Sequence, residues 1–327
     1  MPRHQLTGLI AAMPTPMRPD GTLNLKPVEK LADHALKSGL TGVYVGAAAG
    51  EFSSLTLEER QRQASWWAEV LRGRPLKLIV HVGHTCLADA RQLAMHAEKI
   101  GADAVSSISP SFIKPPSVER LVACCETVAA AAPRVPFFLD DCPDLTGVRV
   151  SLPEFLSLAR KRIPTLAGLI YASHDLTQFQ ECLCAAEDKL QVIFGCEETL
   201  VAGMALGARV AVGSTVAVAG PVYKRLFDDV LEGDLPAARM EQARAMEVVG
   251  ACRHFGYHSA VKAVMSMVGI DCGPPRLPLA ALSPSQFTSL RNDLSRLEFF
   301  DWLGHFHAEA RLPLPRKLAG APVQKAA

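Results

Sequence analysis

The sequence predicts a (β/α)8 barrel followed by a C-terminal helical subdomain, and three observations lead there. Eight short apolar segments, rich in β-branched residues, recur between Gly8 and Thr215. Their near-continuous apolar character fits strands buried on both faces, as in a parallel sheet. Their starts are 34, 35, 25, 34, 30, 25 and 17 residues apart, and eight βα units of that size make a barrel of about 250 residues. A doubly wound sheet would usually have fewer strands and a glycine-rich first turn. The turn around Met13–Gly21 lacks G-x-G-x-x-G, and no Walker A sequence occurs.

In chain order, the strand segments are Gly8–Met17, Gly42–Ala48, Lys77–Gly83, Ala102–Pro110, Pro136–Cys142, Leu166–Ala172, Gln191–Glu197 and Ala208–Thr215. Helical period follows them. Residues 26–38 place Val28, Leu31, Ala32, Ala35 and Leu36 on one stripe. Residues 57–71 open after Thr56 with Glu58 and Glu59 in the first turn, a start signal. Residues 88–100 and 118–131 read the same way, and Gly39, Gly101 and Gly207 sit where helices would end. The barrel occupies residues 1–234 on this reading. Helices at 237–255, 259–269 and 285–300, interrupted by Gly273-Pro274-Pro275, make the subdomain of residues 235–310. Residues 311–327 are expected to be a frayed tail.

Composition narrows the function classes. The chain has 327 residues, 49% hydrophobic and 20% charged, with a formal net charge of +1. That balance gives no electrostatic reason to expect nucleic acid or an anionic membrane as partner. No apolar run approaches the roughly 18 residues of a spanning helix, and no signal cleavage pattern follows the N-terminus. A cytoplasmic protein is the expectation. The nine cysteines are irregularly spaced without a C-x-x-C pair, which reads as buried thiols in a reducing compartment and gives a zinc site little support.

Several stretches resemble the N-acetylneuraminate lyase and dihydrodipicolinate synthase superfamily of aldolases. They are Gly8–Ala12 with Thr15-Pro16; Gly50-Glu51 with Leu55–Arg60; His81-Val82-Gly83; Pro143 with Leu145–Val148; Phe194-Gly195 with Glu197-Glu198; Val212–Thr215; and Gly273–Pro278. Together they span about residues 7–300. The last stretch and Phe112–Pro115 look more like the sialic acid lyase branch. The resemblance implies the same barrel, a homotetramer, and a small sugar acid or 2-oxo acid as substrate, with no cofactor. It also implies a lysine on the sixth strand that condenses with pyruvate, a tyrosine ending the fifth strand that moves protons, and a Ser/Thr–Thr pair after the second strand that holds the carboxylate.

This chain departs at all three places. Ile170 occupies the lysine position, Asp140 the tyrosine position, and Ala48 and Ala49 the hydroxyl pair. An isoleucine has no amine with which to form an imine. Lys161 and Lys189 lie outside the sixth strand, Lys77 starts the third, and Lys262 lies in a C-terminal helix, which leaves Lys114 as the candidate for a relocated imine. Gly195, Glu197, Glu198 and Ser214 match positions that contact the sugar chain in sialic acid lyases. Glu197 and Glu198 equally suit the opening turn of the next helix.

By strand alternation one of Asp140 and Asp141 faces the barrel mouth, and the register gives Asp140. Beside Ile170 its pKa should rise, which suits a general acid or base; a capped Asp pair leading into the Pro143 turn is the alternative. A metal on Asp140, Glu197 and His174 lacks tight ligand spacing. Cys142, Cys196, His81, Trp66 and Trp67 read as packing residues. Two function classes therefore stand: a lyase or hydro-lyase working without an imine, and a binding or regulatory pseudoenzyme. Convergence of Asp140 and Glu197 on one ligand atom would favour the first.

Overall fold

The computed structural model describes residues 6–304. Eight parallel strands close into one barrel in sequence order: β1 (Gly8–Ala12), β2 (Gly42–Val45), β3 (Lys77–His81), β4 (Ala104–Ile108), β5 (Phe137–Asp141), β6 (Leu166–Tyr171), β7 (Gln191–Phe194) and β8 (Val210–Gly213). β1 pairs with β8 to close it, with Gly8 opposite Val210 and Ala11 opposite Gly213.

The outer ring consists of α1 (Val28–Lys37), α2 (Leu57–Val70), α3 (Leu87–Lys99), α4 (Val118–Ala129), the short α5 (Pro143–Thr146), α6 (Leu152–Arg162), α7 (Leu176–Ala186), α8 (Leu200–Leu206) and α9 (Val216–Glu232). The start signal read at Thr56 is a full capping box with Glu59. Gly39 and Gly101 adopt positive φ where their helices end. After the barrel come α10 (Leu235–His254), α11 (Tyr257–Met267), α12 (Pro284–Arg296) and α13 (Phe299–Trp302). Within the described residues no strand follows Gly213. The expected tail at 311–327 and the subdomain's last residues lie outside the described residues.

Strand alternation sorts the apolar residues into two clusters. Ile10, Ala12, Tyr44, Ile79, Ala104, Phe138, Ile170, Ile193, Val210 and Val212 fill the barrel interior. The opposite faces, such as Leu9, Val43, Val105, Leu139 and Leu169, pack under the helices. Both faces are buried, which is why the strands carry near-continuous apolar runs.

Two expectations need correction. The strands end earlier than the apolar runs do: Met13–Met17, Gly46-Ala47, Ser109-Pro110, Gly195-Cys196 and Ser214-Thr215 are loops, and Ala48 and Glu197 begin 3-10 turns. Most of these residues are buried above the barrel, so burial does not mark where the ladder stops. The cysteines are all free, but Cys86 and Cys184 are exposed and Cys124 and Cys142 are half-buried. Trp67 is fully buried while its neighbour Trp66 is 44% exposed, as adjacent helical positions face apart.

Candidate functional site

The floor of the barrel mouth is set by register. β5–β6 pairing puts Asp140 directly opposite Ile170, and β4–β5 pairing puts Ile108 opposite Asp140. Asp140 follows the inward-facing Phe138 by two residues, so its carboxyl enters the mouth and Asp141 faces the helices. Tyr44 reaches in from β2, and its hydroxyl donates to Asp140 Oδ2 at 2.7 Å and sits 2.5 Å from Ser106 Oγ.

Burial lifts the Asp140 carboxyl to about 6, opposed by the Tyr44 hydrogen bond. Burial and the neighbouring Asp140 charge hold the Tyr44 phenol well above its ordinary value, so it stays a donor. Asp141 is raised to about 7 by burial and by Asp140, against the pull of Arg149. His81 is buried, as a core histidine should be. Burial and the adjacent Arg60 keep it well below the usual imidazole value, and Arg60 bonds the carbonyls of His81 and Gly83 at 2.7 and 2.8 Å.

The β2–α2 loop supplies the second wall. Gly46 turns the chain at positive φ, and Ala48–Gly50 form a 3-10 turn whose first amides have no partner within the turn. Thr15 anchors that turn by donating to the Gly50 carbonyl at 2.6 Å, and Gln63 donates to Thr15 at 2.7 Å. Glu51, left-handed at φ 56°, is clasped from the C-terminal side. Lys262 Nζ lies 2.5 Å from its Oε1, and the Arg276 amide donates to Oε2 at 2.7 Å. Lys262 also donates to the Pro274 carbonyl at 3.0 Å. Its amine is therefore occupied in a buried tether.

The third wall joins β7, β8 and the C-terminal helices. Glu197 and Glu198 do open a helical turn, Glu197–Thr199, and both also border the cavity. Glu197 Oε1 accepts from the Thr215 amide at 2.8 Å, the Thr215 hydroxyl at 2.5 Å and the Tyr257 hydroxyl at 2.5 Å. Burial raises its carboxyl, and those donors oppose the rise. Gly213 is required beside it, because a Cβ there would lie 1.6 Å from Glu197 Oε2. Glu198 pairs with Arg253 of α10.

These walls enclose a cavity of about 390 Å³ at the C-terminal ends of the strands. Ala48, Ala49, Asp140, Ile170, Gly195, Glu197, Glu198 and Ser214 all line it, as do Cys142, Cys196 and His174. No lysine does. Lys114 lies instead in the β4–α4 loop, with its Nζ 2.9 Å from where a Cβ on Gly147 would be. Asp140 and Glu197 share the cavity but turn to different protein donors, Tyr44 and Tyr257. Among the described residues no group of three or more His, Cys, Asp or Glu could hold a metal. Burial pushes the Cys142 and Cys196 thiols up to about 12, which keeps them protonated.

Tyr44, Ser106, Arg253, Tyr257 and His258 belong to the site and escaped the sequence reading. Alternation of the apolar segment Gly42–Ala48 could have flagged Tyr44 as a polar atom pointing inward. Nothing local marks Arg253, Tyr257 or His258, which depend on how α10 and α11 pack over the mouth.

A closed (β/α)8 barrel with its cavity at the C-terminal ends of the strands is the arrangement in which barrel enzymes carry their active sites. The chain belongs to the Dihydrodipicolinate synthetase family, which matches residues 5–297. It is 34% identical over 305 residues to an N-acetylneuraminate lyase of Gallus gallus, covering 92% of this chain and 98% of that one. The structure of Proteus mirabilis N-acetylneuraminate lyase superposes with a TM-score of 0.87 at 35% identity, covering 90% and 99% of the two chains. That of the N-acetylneuraminate lyase (sialic acid aldolase) from Aliivibrio salmonicida gives 0.87 at 37%, covering 90% and 97%. The chain thus sits on the sialic acid lyase side of the superfamily.

Proposed function

We propose that this protein binds a small polyhydroxylated ligand, of the class related to sugar acids and 2-oxo acids, in the barrel mouth without forming a pyruvate imine. The observation that carries this is the Ile170 side chain, 3% exposed at the floor and opposite Asp140, in a cavity that no lysine among the described residues lines. Three further losses point the same way. The position of the proton-relay tyrosine holds a carboxylate, and the two cradle hydroxyls are methyl groups at Ala48 and Ala49. Gly195, Ser214 and the Glu197–Glu198 wall support retention of the sugar-chain end.

The test is incubation with pyruvate and borohydride, followed by mass spectrometry. The expected result is no adduct; an adduct on Lys114 or any other barrel lysine overturns the proposal. Ile170→Lys alone should recover little, because the Asp140 carboxylate would hold the new amine protonated. Adding Asp140→Tyr, Ala48→Ser and Ala49→Thr should recover more, since such parts act as a unit.

A second reading, a lyase or hydro-lyase working without an imine, is favoured by one observation. Asp140, lifted to about 6 and bonded to a phenol, has the form of a general base. Cleavage of N-acetylneuraminate followed as pyruvate release checks it, with none expected under the binding reading. A homotetramer and a cytoplasmic location complete the proposal. Phe112 and Ile113, 92% and 83% exposed, are side chains that a neighbouring subunit would cover, and light scattering of the full chain reports the assembly.

A further inference from the structure

We infer that the floor of the barrel mouth receives a protonated primary amine carried on a small polyol, with Asp140 as its counter-ion. This narrows the ligand class of the binding proposal, with an amine at the floor in place of the carboxylate of a sugar acid or 2-oxo acid, and rests on the loss of imine chemistry. The charged side chains lining the cavity are Asp140, Asp144, Glu197, Glu198 and Arg253. Glu198 and Arg253 pair with each other. Asp144 pairs with Arg149 at 3.1 Å, and Glu197 Oε1 is held by Thr215 and Tyr257.

Neither Asp140 nor Glu197 has such a cation, but Glu197 Oε1 is held by three donors and Asp140 by one. The Asp140 side chain is 8% exposed, and what exposure it has opens on the cavity. Oδ2 accepts from Tyr44, while Oδ1 has no hydrogen-bond partner among the described residues. Oδ1 is not closed off inside the protein, and the cavity is the side from which a donor can reach it. Around Asp140 the floor is apolar, formed by Ala12, Ala48, Ile170 and Val212.

The charge of the floor decides between ligands. A 2-oxo acid placed there would bring its carboxylate against Asp140 with no cation or side-chain hydroxyl from Ile170, Ala48 or Ala49 to offset the repulsion. A neutral hydroxyl would satisfy Oδ1 without using the charge. An ammonium offers three donors and the opposite charge, and its polyol carbons would rest on the apolar floor with hydroxyls toward Ser214.

The test is calorimetric titration of the full chain near neutral pH with D-glucosamine, D-glucose, D-gluconate and pyruvate, the first two of which differ only in an ammonium or a hydroxyl at one carbon of the same pyranose. Glucosamine should bind at least about tenfold more tightly than glucose, and gluconate and pyruvate more weakly than either. Asp140→Asn should erase the advantage of glucosamine. If Asp140→Asn does not fold, glucosamine against N-acetylglucosamine on the unaltered chain decides, because the amide carries no charge. Equal affinity across the charge series, preference for an anion, or no binding of glucosamine overturns the amine assignment. A trapped pyruvate adduct would instead overturn the loss of imine chemistry, so the two failures are distinguishable.

Discussion

Asp140→Asn should make the protein more stable at pH 8 and leave it nearly unchanged at pH 4. The folded carboxyl lies near 6 and its reference value is 3.8, a rise of about 2 units. At about 1.4 kcal/mol per unit, this corresponds to about 3 kcal/mol. The sign follows from linkage: a carboxyl raised on folding favours the folded state when protonated. Its contribution is fully present below about pH 4 and is lost as pH climbs through 6. Above that, burying the charge opposes folding. Asparagine keeps the shape and can accept from Tyr44 without the charge. Asp141, raised partly by Asp140, would also relax downward and add to the gain. Urea unfolding at fixed protein concentration, at pH 4 and pH 8, measures the difference. A stability change of the same size at both pH values, or a less stable variant at pH 8, would refute the reasoning.

Tyr44→Phe removes the donor to Asp140 Oδ2 and should raise the Asp140 carboxyl by about 1–2 units, a charge-assisted hydrogen bond being worth about 1.5–3 kcal/mol; carbon-13 NMR titration of the carboxyl reads this directly. Lys262→Met strands Glu51 without its buried partner and should cost about 3–5 kcal/mol, whereas pairing it with Glu51→Gln should recover part of the loss in thermal melts. Gly213→Ala drives a methyl group into Glu197 Oε2 and should lower stability by about 2–4 kcal/mol. Restoring space with Glu197→Ala in the same chain should relieve much of it.

The barrel was legible because burial on both strand faces writes itself as eight apolar runs, whose spacing leaves room for one helix each. Strand ends were not legible. The loops at Met13–Met17 and Gly195-Cys196 are as buried as the ladder beneath them, so hydrophobicity does not mark where pairing stops. At the site, alternation sufficed for Asp140 over Asp141, and register against Pro143 placed Asp140 beside Ile170. The Asp140–Tyr44 bond joins residues 96 apart in sequence, and no local pattern encodes the distance between them. Glu197 shows the limit most clearly. Its two readings, helix opener and hydroxyl acceptor, are both realised, but the hydroxyls it accepts from are those of Thr215 and Tyr257.

The Glu51 clasp has a consequence for how the mouth responds to an occupant. Lys262 of α11 and the Arg276 amide hold the loop that carries Ala48 and Ala49, while Tyr257 of the same helix holds Glu197 on the far wall. One helix thus braces opposite sides of the opening. A ligand that pushes either wall outward must displace α11, and the displacement is transmitted to the other wall. The two walls are therefore expected to shift together, and replacing both contacts, Lys262→Met with Tyr257→Phe, should loosen both in hydrogen exchange.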